Sequence, residues 1–370
     1  MHKFCFILLV LLLTGNYAKA NRSIVDSTYN NRFIGVNYYS GILKFHHKEM
    51  EIMQENRASA FELSYVFVGN GNKLWHTYYK QPKFGLVYKF MDLGSYRILG
   101  YSHSIYPFIN FPIYSPSKNI QFGLFVGPGL SYVTKIYHRT ENFKNSAISS
   151  HLNAYINLGA TISYKISNSI EIDGGFHMVH FSNGTFKKPN SGLNYSLLSV
   201  GLSYATGNAK LENGSNYSFL DKNSRLLLVG VGSYKEVKGA GGPKYGVGSF
   251  SVEYSRKIKP LWWYGFSWDL MYDGSNGFIL ERERVPWDNN WQLLKSGFTL
   301  NTEIILDRLS AVFHFGGYIY NKNEPDNNGV VYQRIGLRYR TLDKMWLHLA
   351  LKTHWGSADY VELGIAYKIL

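Results

Sequence analysis

Apolar and polar residues alternate at every second position along most of the chain. In 168–181, Ile170, Ile172, Phe176 and Met178 fall on one side while Glu171, Asp173 and His177 fall on the other. Successive side chains of a strand point to opposite faces, so this pattern predicts a strand with one apolar face. Comparable segments lie at 32–43, 59–68, 83–92, 97–110, 120–136, 151–166, 168–181 and 193–206. A second set lies at 224–236, 245–258, 261–273, 294–307, 309–320, 330–341, 344–355 and 359–370. Eight strands followed by eight are expected, and even counts suit bacterial barrels. The stretch from Lys48 to Asn56 is expected to form a helical turn within a loop.

The connections carry a second pattern. If the first strand runs outward, the turns 115–118, 166–169, 257–260 and 341–344 fall on the inner side and are short. The longer 137–150 and 274–293 fall outside. Short inner turns with longer outer loops are the habit of membrane barrels. The long connection 69–82 breaks it. Under this parity the end of the strand near residue 181 points outward.

The two sets resemble each other. Ser59-Ala60-Phe61-Glu62-Leu63-Ser64-Tyr65 is similar to Gly248-Ser249-Phe250-Ser251-Val252-Glu253-Tyr254. Phe90 to Ser95 is similar to Leu270 to Ser275, and Val200 to Tyr204 to Leu363 to Tyr367. The expected architecture is therefore all-β: an outer-membrane antiparallel β-barrel protein of two tandem eight-stranded barrels, 8+8. One 16-stranded barrel with an aqueous channel is the alternative, and alternation alone does not separate them. The expected organisation is a signal peptide at 1–20, a first barrel at 21–206, a linker at 207–223 and a second barrel at 224–370.

Composition supports the barrel. The chain has 30 Tyr, 23 Phe, 8 Trp and 36 Gly, with 17% charged residues. Aromatic girdles and abundant strands suit a membrane barrel, whereas a secreted β-sandwich is the soluble alternative. No run approaches the length of a transmembrane helix. The start reads as a secretory signal: His2 and Lys3, an apolar run from Phe4 to Leu13, and Ala18-Lys19-Ala20 as cleavage site. The one cysteine, Cys5, lies in that leader, so the mature chain would have no disulfide framework and no thiolate chemistry. Losing Lys3 and Lys19 with the leader lowers the formal charge from +14 by two. A basic exported surface favours anionic partners, here phosphorylated lipid rather than nucleic acid.

The candidate chemistry sits at His180-Phe181-Ser182-Asn183-Gly184. His180 and Ser182 share the apolar face with Ile170, Ile172, Phe176 and Met178. In a membrane barrel that face meets lipid, which suggests a hydrolase with a lipid substrate. Serine is a weak nucleophile until a base takes its proton, and His180 is the same-face neighbour able to do so. Asn194 lies on the apolar face of the next strand, where a hairpin joined at 183–192 would bring it beside His180 to orient the ring. Backbone N–H groups near Gly184, with the side chains of Asn183 or Asn190, are candidates for binding an oxyanion. His177 shares its face with Glu171 and Asp173 and reads as an interior polar contact. His46-His47 read as surface residues without partners at metal spacing. No metal and no organic cofactor are implied.

The segment 180–194 resembles the signature of the PagL-type lipid A 3-O-deacylases, or acyloxyacyl hydrolases. His180, Ser182, Asn183, Pro189, Asn190 and Gly192 match that pattern, and Asn145 to Ala154 is similar to long members. The resemblance spans about 32–206, with 224–370 as a degenerate second repeat. It implies an eight-stranded outer-membrane barrel whose site lies on the outer wall. It also implies release of an ester-linked 3-hydroxyacyl chain from the lipid A of lipopolysaccharide, in the outer membrane of a Gram-negative bacterium. The family's acidic position is occupied by Asn194. An amide orients an imidazole but does not stabilise imidazolium with a full charge, so slower chemistry, or a scaffold that has lost activity, is expected. In the second half, His354 falls on the polar face with His348 and Lys352, and no serine follows two residues later. That half is expected to lack the site. The competing function is a porin-like channel or structural barrel with a vestigial site.

Overall fold

In the computed structural model, residues 28–45, 48–210, 223–237, 239–321 and 329–370 are described. The expected leader, most of the expected linker and His46-His47 lie outside these residues.

The first barrel consists of β1 (Thr28–Lys44), β2 (Ala58–Val68), β3 (Lys83–Asp92), β4 (Tyr101–Tyr114), β5 (Ile120–Val133), β6 (Leu152–Lys165), β7 (Ile170–Ser182) and β8 (Leu193–Lys210). Each strand pairs antiparallel with the next, and β8 closes on β1. The second consists of β9 (Ser224–Glu236), β10 (Lys244–Lys259), β11 (Trp262–Asp273), β12 (Leu294–Leu306), β13 (Leu309–Asn321), β14 (Val331–Leu342), β15 (Met345–His354) and β16 (Ser357–Lys368). It closes through β16 and β9. There are thus two closed eight-stranded barrels rather than one of sixteen. The segments that resemble one another fall on strands of the same rank: β2 and β10, β3 and β11, β8 and β16.

Alternation sorts each strand. On β1, Ile34, Val36 and Tyr38 are exposed outward while Phe33 and Tyr39 are buried inward. The first barrel's interior is polar but filled. Lys89 Nζ lies 2.9 Å from Glu62 Oε2, with the two side chains 0% and 3% exposed. Tyr106 Oη donates to Glu62 at 2.6 Å, Asn37 Nδ2 donates to its other oxygen, and Lys89 stacks on Tyr39. In the second barrel, Arg338 pairs with Glu253 and Glu303, and Arg334 with Asp269 and Glu362. An eight-stranded barrel is just wide enough for its interior to be occupied in this way.

Loops complete the first barrel. At the end bearing the 183–192 turn, Met50, Met53, Leu93, Leu99, Ala147 and Ile148 are buried in one apolar cluster with Phe181, Leu193 and Tyr195. Met50 and Met53 come from a 3-10 helix, Lys48–Met53, where the helical turn was expected. The long connection 69–82 has a structural reason: its helix α1 (Leu74–Tyr78) buries Trp75 and His76 beside Phe84. One strand is displaced from expectation. Residues 97–110 were expected extended, but β4 begins at Tyr101. Ser95 captures the preceding residues in a turn, its Oγ accepting from Ile98 N and its carbonyl from Leu99 N and Gly100 N.

The chain divides into two compact units. Among the described residues, one contains the first barrel with the 189–192 part of its last turn, and the other contains the second barrel with Gly184–Lys188.

Two outcomes follow from the filled interiors. Lys89→Met should destabilise the barrel by about 3–5 kcal/mol, because it leaves the Glu62 carboxylate buried without its cation. Adding Glu62→Gln should recover most of that loss; urea unfolding in detergent micelles measures both. Liposomes carrying the protein should show no sugar-driven swelling above empty liposomes.

Candidate functional site

The site is assembled where β7 and β8 leave the wall of the first barrel. On β7 the even positions face outward: Ile172 and Phe176 are exposed, and His180 and Ser182 continue that row, half-buried. On β8 the outward row includes Val200 and Leu198 and ends at Asn194, which is 7% exposed. The hairpin register sets His180 directly opposite Asn194. On the other side of β7, Ile156 pairs with His180 and Ala154 with Ser182. The small Ala154 leaves the serine open to an approaching chain.

Hydrogen bonding orders these side chains. His180 Nδ1 lies 2.6 Å from Asn194 Oδ1. A carbonyl oxygen only accepts, so Nδ1 carries the proton and Nε2 keeps its lone pair. That is the tautomer a general base needs. Asn190 Nδ2 donates to Ser182 Oγ at 2.9 Å, and Asn190 Oδ1 accepts from Asn183 N at 3.2 Å. The Asn190 amide is therefore held at its oxygen and directs its NH₂ at the serine.

Asn183 is placed differently from Asn190. Its Nδ2 donates to Ser150 Oγ at 2.9 Å and to Ser149 Oγ at 3.3 Å, away from the serine it follows. Those hydroxyls belong to the loop between β5 and β6. The same loop accepts Ser191 N at Ser146 O and Gly192 N at Ala147 O. Asn145 ties the loop down in turn, donating to Ile98 O and Lys135 O and accepting Ile148 N. Ser146, Ala147, Ser149 and Ser150 are the contributors that pattern reasoning from the strand missed. Their only sequence signal was the likeness of Asn145 to Ala154 to long family members.

Gly192 is required by space as well as by backbone. Its φ is +73°, and a Cβ there would stand 2.9 Å from His180 Cε1. Gly184 also has a positive φ, +62°.

His177 points inward: it is buried, with Nδ1 3.0 Å from Asn157 Oδ1 and its ring against Tyr39 and Phe125. In the second barrel, His354 is buried with Nε2 2.8 Å from Tyr318 Oη. The outward row of β15 carries Leu347, Leu349 and Leu351. Among the described residues, no group of three or more His, Cys, Asp or Glu is arranged to hold a metal ion.

Residues 59–203 match the family model of lipid A 3-O-deacylase (PagL), and residues 224–370 match that of the acyloxyacyl hydrolase C-terminal domain. Among solved structures, Neisserial surface protein A is similar, with 12% identity over 49% of this chain and 99% of that one, at a TM-score of 0.32. The outer membrane enzyme PagL is similar with 16% identity over 45% of this chain and 97% of that one, at 0.31. A porin mutant from Rh. blastica aligns over 93% of this chain and 100% of that one, with 10% identity and a TM-score of 0.20. No curated protein sequence matches the chain.

The geometry predicts the behaviour of the turn. Asn183→Ala removes the two side-chain bonds to Ser149 and Ser150, each worth about 0.5–1.5 kcal/mol. Limited proteolysis of the folded protein should then nick 183–192 faster than in the parent, with the thermal transition of the barrel little changed.

Proposed function

The chain belongs to the lipid A 3-O-deacylase (PagL) family, and from that premise we propose that it is an outer-membrane esterase that removes a 3-O-linked hydroxyacyl chain from lipid A by a serine–histidine mechanism. The observation that carries this reading is the 2.6 Å contact between His180 Nδ1 and Asn194 Oδ1 on the outward wall. It supports an imidazole whose Nε2 is ready to accept a proton, two residues from a serine on the same face.

Ser182 Oγ attacks the ester carbonyl as its proton passes to His180 Nε2. Asn194 holds the ring through Nδ1–H during the transfer. The carbonyl oxygen becomes an oxyanion, and Asn190 Nδ2, anchored by Asn183 N, is the donor closest to hand for it. Collapse of the intermediate breaks the ester C–O bond, and His180 returns the proton to the sugar 3-oxygen as it leaves. A water then attacks the acyl-serine with His180 again as base, which releases the 3-hydroxy fatty acid and restores Ser182. Asn183 supports this chemistry by fixing the turn, and Gly192 by leaving room for the imidazole. The outward position of the row suits a substrate that arrives by diffusion within the leaflet.

In this proposal the first barrel carries the chemistry and the second does not. The second reading, a scaffold with a vestigial site, is favoured by one feature: Asn194 stands where the family pattern has an acid. An amide supplies no charge to the imidazolium, so the expected reaction is slow rather than absent.

The test is mass spectrometry of lipid A from a Gram-negative host expressing the chain. A species lighter by one hydroxyacyl group is expected with the parent and should vanish with Ser182→Ala at equal outer-membrane level. Unchanged lipid A with a folded parent would favour the scaffold. Asn194→Asp should raise the deacylation rate by at least about tenfold, because a carboxylate both orients and charge-stabilises the ring. Asn194→Leu should lower it by at least a similar factor.

A further inference from the structure

Among its described residues the second barrel shows no serine–histidine row on its outer face, but that wall is not featureless. The outward-facing positions of β9 and β10 include Gly230, Gly232, Gly246 and Gly248, and Gly232 pairs directly with Gly248. A Cβ added to Gly230 or Gly232 would meet no atom within 4 Å, and one on Gly246 would meet only Tyr234, at 3.9 Å. Glycine weakens a strand, so four on one patch of wall are not explained by packing within the barrel.

Their effect is a groove of about 950 Å³, lined entirely by residues of the second unit. Gly232 and Gly246 form its floor. Leu363 and Val361 of β16 form one bank, and Tyr272 of β11 the other. Helix α2 (Ser275–Arg282), through Phe278, and Trp287 of the following loop close one end. That loop, 274–293, is one of those that strand parity assigns to the outer side. The volume falls within the range of ligand sites, roughly 300–1,000 Å³.

The groove is apolar along most of its length, with a cation beside its Phe186 edge. Lys244 Nζ lies 4.5 Å from the centre of the Phe186 ring, which lines the groove. Glu281 is the acidic residue of the lining. A flexible hydrocarbon chain with an anionic head beside Lys244 fits this groove.

We propose that this groove holds one acyl chain of a lipid A molecule, with the Lys244 ammonium group facing a lipid A phosphate. It is proposed as a non-catalytic binding site: no histidine stands beside Ser233 in its lining. The choice of lipid A over phospholipid rests on the outer-leaflet end of the groove and so on the function proposed above.

The test uses the full chain carrying Ser182→Ala, so that bound lipid is not consumed, in phosphatidylglycerol nanodiscs containing lipid A. Retained lipid is counted by native mass spectrometry. Gly232→Leu with Gly246→Leu fills the groove, each new Cβ at ordinary contact distance or more from protein atoms, and should weaken lipid A retention by about tenfold. A second readout needs no filled groove: Leu363→p-benzoylphenylalanine should photo-cross-link lipid A far more than Phe315→p-benzoylphenylalanine on the opposite wall. Equal retention after filling, equal cross-linking at the two positions, or preferential capture of phosphatidylglycerol at 363 would overturn the proposal. Because binding is read without catalysis, failure of the groove and failure of the deacylase reading are separate results. An unfilled parent that deacylates lipid A while filling changes nothing sinks only the groove. A groove that retains lipid A in a chain with no deacylation sinks only the enzyme.

Discussion

The site depends on the register of one hairpin. In a strand the side-chain period is two, so a slip of one residue between β7 and β8 would turn one row inward and separate its residues from the other. The register that pairs His180 with Asn194 also pairs Phe176 with Leu198 and Gly174 with Val200. Those apolar residues belong on the outer face, and Asp173 and His177 belong inside. The burial preference of the whole hairpin therefore enforces the contact that orients the imidazole. The apolar cluster beneath the loops adds the second constraint. Ala147 and Ile148 are fully buried in it, and the carbonyls beside them hold the N–H groups of Ser191 and Gly192.

The amide at position 194 has a physical rationale in this setting. Asn194 is almost fully covered on a wall that otherwise carries Leu198 and Val200. A carboxylate there would be desolvated whenever the imidazole is neutral, and burying such a charge is costly. The amide avoids that cost, and its oxygen still selects the Nδ1–H tautomer. In the proposed reaction it would give up stabilisation of the imidazolium.

Much of this was legible in the sequence because two-residue alternation is a direct image of an inside and an outside. The sixteen strands, the inward placing of His177 and the pairing of Asn194 with His180 all follow from it. Features set by turns were less legible. The start of β4 moved to Tyr101 because Ser95 closes a turn that alternation does not encode. Asn183 and Asn190 were indistinguishable as oxyanion donors on sequence; only the fold assigns the first to Ser149 and Ser150 and the second to Ser182. The partners come from a loop more than thirty residues upstream, and no periodicity links the two segments. The glycines of the second barrel were visible as residues, but their shared outward face required the register of β9 and β10.

The most direct test of the central claim is labelling of the folded protein with a long-chain alkyl fluorophosphonate, followed by peptide mass spectrometry. A serine activated by an oriented imidazole reacts with such a probe, whereas an ordinary surface hydroxyl does not. The account predicts a single modified peptide with the adduct on Ser182, lost in His180→Ala. An unlabelled Ser182 in a folded barrel, or labelling that survives His180→Ala, would contradict it.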